Sequence, residues 1–118
     1  MDYTLLNQAG INTDSAIKRF MGNEVLYARM LKLFLDDKTF ESLGAAVSEG
    51  SNKTALEASH TLKGLCGNLS IDCLFELFSK QVAIMREDRW NDAFAMMPEI
   101  TEAYDKVTAA IKSWFDMQ

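Results

Sequence analysis

The sequence has a single histidine, a single proline and two cysteines, and each scarcity removes a class of chemistry. One histidine cannot supply a histidine-rich metal centre, and the two cysteines, Cys66 and Cys73, are spaced neither as a redox pair nor as a zinc knuckle. So few cysteines suit a reducing compartment, where a buried thiol behaves as a small hydrophobe. Basic residues are outnumbered, 12 against 17 acidic, for a formal net charge of −5. That balance argues against a general binder of nucleic acid or anionic membrane, which carries a basic patch, but it leaves room for a local spot such as Lys63. No apolar run approaches the roughly 20 residues that cross a bilayer. The start, Met1-Asp-Tyr-Thr-Leu-Leu, lacks the basic beginning and long apolar region of a signal peptide. A cytoplasmic protein made of one domain, residues 1–118, is expected.

Sustained strand alternation, repeats and low-complexity tracts are also missing; what is present is helical spacing. After a mixed lead over residues 1–12, Asn12 or Thr13 can cap a short helix carrying Ile17 and Phe20, with Gly22 to end it. Asn23 caps a second helix with a broad apolar face of Val25, Leu26, Met30, Leu33 and Phe34. The pattern falters at Asp36-Asp37-Lys38 and resumes through Phe40, Leu43, Ala46 and Val47, which reads as a bend or as two successive helices ending before Gly50. A helix follows Ser51–Thr54, and the next, with Asp72 as a cap, covers about residues 72–87 with Gln81 interrupting its apolar row. A last helical region spans Trp90 to Met117, and Pro98 should start, kink or divide it. The expected class is all-α: an antiparallel four-helix bundle with one or two additional short helices.

One stretch carries the chemistry. Ala55, Ala58, Leu62, Leu65 and Leu69 step by threes and fours, the spacing of a helix with one buried face. A second row on the same helix contains His60, Lys63, Gly64 and Gly67. His60 lies about 200° around from Leu62 at 3.6 residues per turn, so the histidine points away from the seam. Each interior glycine costs a helix about 1 kcal/mol relative to alanine, and close approach by another molecule would account for the pair.

Near neutral pH a solvent-facing imidazole keeps a free ring nitrogen in much of its population, and that nitrogen is a competent nucleophile for phosphoryl transfer. Lys63, one turn on, would balance the phosphoryl charge, and the glycines would clear a track for a partner's rim. Residue types alone leave a second reading open: an ordinary surface histidine, with glycines that only ease helix packing. Other chemistries fall away. Glu57-x-x-His60 matches one ligand unit of a di-iron bundle, but such a site needs two. Cys66 sits beside the apolar seam without a positioned base, and Lys63-Gly-Leu-Cys-Gly67 lacks the spacing of a phosphate-binding loop.

The stretch His60-Thr-Leu-Lys-Gly-Leu-Cys-Gly-Asn-Leu69 resembles the histidine-containing phosphotransfer (HPt) domains of multistep phosphorelays, whose pattern is roughly Ala-His-x-Leu-Lys-Gly-x-Ala-x-x-Leu-Gly. The resemblance extends to Arg19-Phe-Met-Gly-Asn-Glu-Val-Leu-Tyr27 and covers about residues 10–117. It implies that His60 is the phosphorylated residue, that Lys63 stabilises the phosphoryl charge, and that Ser59, Lys63, Gly64 and Gly67 form the surface met by a receiver domain. Three departures stand out. Ser59 replaces the usual alanine, and Ser70 stands where glycine usually ends the motif. The position that in many members holds the histidine's other ring nitrogen falls, without gaps, on Val82. Gln81 precedes it, turned by about 100°. Either Gln81 orients His60, or its amide is satisfied by backbone or water.

By this resemblance the protein is a phosphorelay intermediate and not an enzyme with autokinase activity: a receiver-domain aspartate gives its phosphoryl group to His60, and another receiver takes it. The partners are receiver domains of a hybrid sensor kinase or response regulators. The chain itself holds no cofactor, the divalent metal lies on the receiver, and a monomer is expected. The alternative is a non-phosphorylated helical adaptor that docks a signalling partner.

Overall fold

The computed structural model describes residues 1–118 as eight helices without a strand. They are α1 (Thr4–Gln8), α2 (Thr13–Arg19), α3 (Glu24–Asp36), α4 (Thr39–Glu49), α5 (Asn52–Asn68), α6 (Asp72–Arg86), α7 (Trp90–Phe94) and α8 (Met97–Asp116). The caps act largely as the side chains dictate. Asn12 and Asn23 each accept a hydrogen bond from the backbone N–H three residues on, at 3.1 and 3.0 Å, which satisfies donors that a helix start leaves free. Gly50 ends α4 at φ +72°, a left-handed conformation that glycine adopts without penalty. Pro98 sits in the first turn of α8, where its missing N–H costs nothing, so the last helical region is divided there. Asp72 does not cap α6. Ile71 holds the cap position, and Asp72 lies in the first turn, where its charge suits the helix dipole.

Helix α5 packs along both α4 and α6; α6 also meets α7 and α8, and α8 closes the ring against α3. With α3 and α4 taken as one interrupted arm, four arms joined by short turns form the expected bundle. The short helices number three, not one or two, because the lead coils into α1 and lies along α8. That segment is tied down. Trp114 Nε1 donates to the Asp2 carbonyl at 2.9 Å, and Tyr3 stacks on the Trp114 ring at 5.8 Å while donating to Glu24 at 2.6 Å.

Those contacts decide how α3 is turned. Tyr27, Leu31 and Phe34 face the core, whereas Val25 and Leu33 are 69% and 55% exposed. Five apolar positions gave a face too wide to orient; the rings of Tyr3 and Phe20 against Tyr27 select its rotation. The exit from α5 is equally specific. Ser70 takes φ +53°, a left-handed conformation that glycine adopts more readily than serine. It is held there by a bond from its hydroxyl to Ser15 Oγ at 3.0 Å and by the Asn12 N–H on its carbonyl at 2.8 Å.

Candidate functional site

The site grows from the two faces of α5. Ala55, Ala58, Ser59, Leu62, Cys66 and Leu69 are buried in the bundle, and Leu65 is half-buried. The core row therefore runs through Ser59 and through Cys66, which is in the seam and not beside it. Burial pushes the Cys66 thiol well up, and that of Cys73 upward to a lesser burial. Neither is a nucleophile in this setting.

His60 is exposed on the opposite side and borders a shallow groove with Lys63 and Gly64. None of the side-chain hydrogen bonds within the chain involves the imidazole, so its nitrogens have no internal partner. Lys63 is half-buried and joins no ion pair. A Cβ built on Gly64 would meet nothing within 4 Å, so the glycine leaves open space beside the histidine. Gly67 differs: a Cβ there would stand 3.1 Å from two atoms of the Phe75 ring. Its small size serves the packing of α6 on α5, and Phe75 takes up part of the space beside it, while Gly67 itself still lines the groove.

Two other expected site residues lie elsewhere. Ser59 is wholly buried and cannot touch a partner. Gln81 does not reach His60, because its amide is committed on both sides. Its Oε1 accepts from Ser59 Oγ at 2.7 Å, and its Nε2 donates to the Ala93 carbonyl at 3.1 Å and to Met97 Sδ at 3.4 Å. The physical reason is the rotation of about 100° between neighbouring helix positions, which aims residue 81 into the bundle. Ser59, just before the histidine, and Gln81 on α6 thus form one feature: a buried pair joined by a hydrogen bond.

Besides His60, Lys63, Gly64 and Gly67, the His60 groove is lined by Arg19, Asn68 and Phe75. Nothing in their local sequence marks these residues as part of a site. Arg19 falls within the stretch 19–27 that carried part of the resemblance, but only the packing of α2 places it by α5. No group of three or more His, Cys, Asp and Glu side chains is arranged so that it could hold a metal ion.

No protein-family model matches the sequence, and no curated protein matches it significantly. The structure does superpose on a solved one, the HPt domain of an Hpt sensor hybrid histidine kinase from Shewanella. The TM-score is 0.84, with 20% identity, over 93% of this chain and 97% of that one. The chain has the fold of an HPt domain.

Proposed function

We propose that the chain is a histidine phosphotransfer module with His60 as its phosphoacceptor. The observation that carries the reading is the exposed imidazole of the only histidine, set between Lys63 and the open space of Gly64 on a bundle of this fold. A neutral ring nitrogen attacks the phosphorus of an aspartyl phosphate presented by a receiver domain. The nitrogen–phosphorus bond forms as the bond from phosphorus to the carboxylate oxygen breaks, and the carboxylate leaves with the electron pair. The proton on the second ring nitrogen is then free to leave to water, and Lys63 offsets the added negative charge. Return transfer to another receiver's aspartate reverses these steps.

On this reading the divalent cation and most of the catalysis belong to the receiver. The chain works without a nucleotide site, as a cytoplasmic monomer whose partners are the receiver domains of a hybrid kinase or of response regulators. What supports an exposed acceptor over a buried catalyst is that nothing in the chain encloses His60 or holds its ring.

Phosphotransfer profiling against the receiver domains of the same cell tests this. Wild-type protein is expected to form an acid-labile, base-stable phosphoprotein with a subset of them, and His60→Gln to form none. Transfer that survives His60→Gln would refute the assignment. A wild type that accepts phosphate from no receiver would leave the adaptor reading in its place.

A further inference from the structure

The groove beside His60 has a second cation. Lys63 stands about 60° to one side of His60 around α5, and Asn68 about 80° to the other, at 100° per residue. Arg19 reaches the groove from the Asn68 side. It borders Asn68 there, and again in the neighbouring apolar groove formed by Phe20, Phe34, Leu65 and Leu69. Arg19 is exposed, ends α2 and forms no ion pair. No carboxylate lines the His60 groove. The one that borders the apolar groove, Asp37, accepts from the Thr39 N–H at 2.8 Å. In a chain of net charge −5, the histidine is therefore flanked by unpaired cations on both sides.

We infer that Arg19 is a docking residue for the phosphorylated receiver, gripping the anionic rim of its phosphoaspartate site from the side opposite Lys63. The inference rests on the phosphotransfer reading and deepens it. A single cation beside the histidine attracts an anion without fixing its direction. Two cations on opposite sides confine the incoming phosphoryl-bearing surface to the track above Gly64. Arg19 also stands where the two grooves meet, so a partner that covers His60 and also extends over the apolar groove must pass across it. Its guanidinium fork suits carboxylate and phosphate oxygens. The competing account, a cation that merely complements the C-terminal dipole of α2, makes a different prediction for salt and rate.

The test compares wild type, Arg19→Ala, Arg19→Lys and Arg19→Glu with the receiver found by the profiling above. Second-order transfer rates are measured from low to high salt beside thermal unfolding of each variant. Arg19→Ala should lower the rate roughly three- to fivefold at low salt and flatten its salt dependence, as loss of a rim charge does. Arg19→Glu should lower it more than about tenfold by like-charge repulsion, with Arg19→Lys retaining most of the rate. The differences should fade as salt screens the charges. If wild type accepts phosphate while Ala and Glu variants match its rate and salt slope, Arg19 is no docking residue and the phosphotransfer reading stands. A loss of melting temperature without a change in salt slope would assign Arg19 to α2 stability instead. If wild type accepts no phosphate from any receiver, both readings fall.

Discussion

The Ser59 hydroxyl donates to Gln81 Oε1 at 2.7 Å, and both residues are wholly buried behind the helix face that presents His60. The bond joins α5 to α6, and the other end of the same amide reaches the Ala93 carbonyl at the end of α7. A buried amide with one partner removed bears the full desolvation penalty of the orphaned atom. Ser59→Ala alone should therefore destabilise the fold by about 1–3 kcal/mol, while the double variant Ser59→Ala/Gln81→Met should recover much of that loss. Urea unfolding of the singles and the double gives the coupling energy. Additive losses would show that the pair does not act as a unit.

Two glycines should respond to alanine in opposite ways. Gly64 is helical and exposed with nothing within 4 Å of its would-be Cβ, so Gly64→Ala should stabilise the fold by about 0.5–1 kcal/mol through helix propensity. The same methyl stands on the proposed docking track and should slow transfer from the receiver, so stability and rate should move apart.

Gly10 has φ +103°, and a Cβ there would lie 2.6 Å from Cys73 Sγ. Gly10→Ala meets both backbone strain and overpacking and should cost about 2–4 kcal/mol. A denaturation midpoint that moved little in Gly10→Ala would contradict the close approach of the loop to α6.

All three tyrosines hold their protons more tightly than an exposed phenol. Burial, and then the bond to Glu24, pushes Tyr3 up to about 12, and burial pushes Tyr104 up to about 12. Tyr27, whose buried hydroxyl has no partner, is also raised by burial. In the unfolded chain a phenol ionises near about 10. The folded state therefore binds more protons between those values, and stability present below pH of about 10 is lost as pH rises toward 12. Ultraviolet titration should show little tyrosinate near pH 10, with ionisation arriving together with loss of helical signal. Reversible tyrosinate formation near pH 10 with the helices intact would refute this.

Much of this was legible along the chain. The threes and fours of the α5 seam, the asparagine caps, the glycine ends and the lone proline fix where helices begin and stop, because those effects act within a turn or two. The same local geometry puts His60, Lys63 and Gly64 on one side of α5, opposite Leu62. Nearest-neighbour chemistry could not rotate α3, whose apolar residues spread too widely; Tyr3, Phe20 and Tyr27 did that by packing. Nor could it choose between the two readings of Gln81. Its partner is 22 positions away and its direction depends on how α5, α6 and α7 meet. Gly67 appeared to offer the same room as Gly64 until α6 laid Phe75 against it. The sequence alone determined the main helical segments and which face of α5 carries the histidine. Only the tertiary structure decided what shares that face, because Arg19 and Phe75 arrive from helices whose placement is set by burial across the whole bundle and not by spacing along the chain.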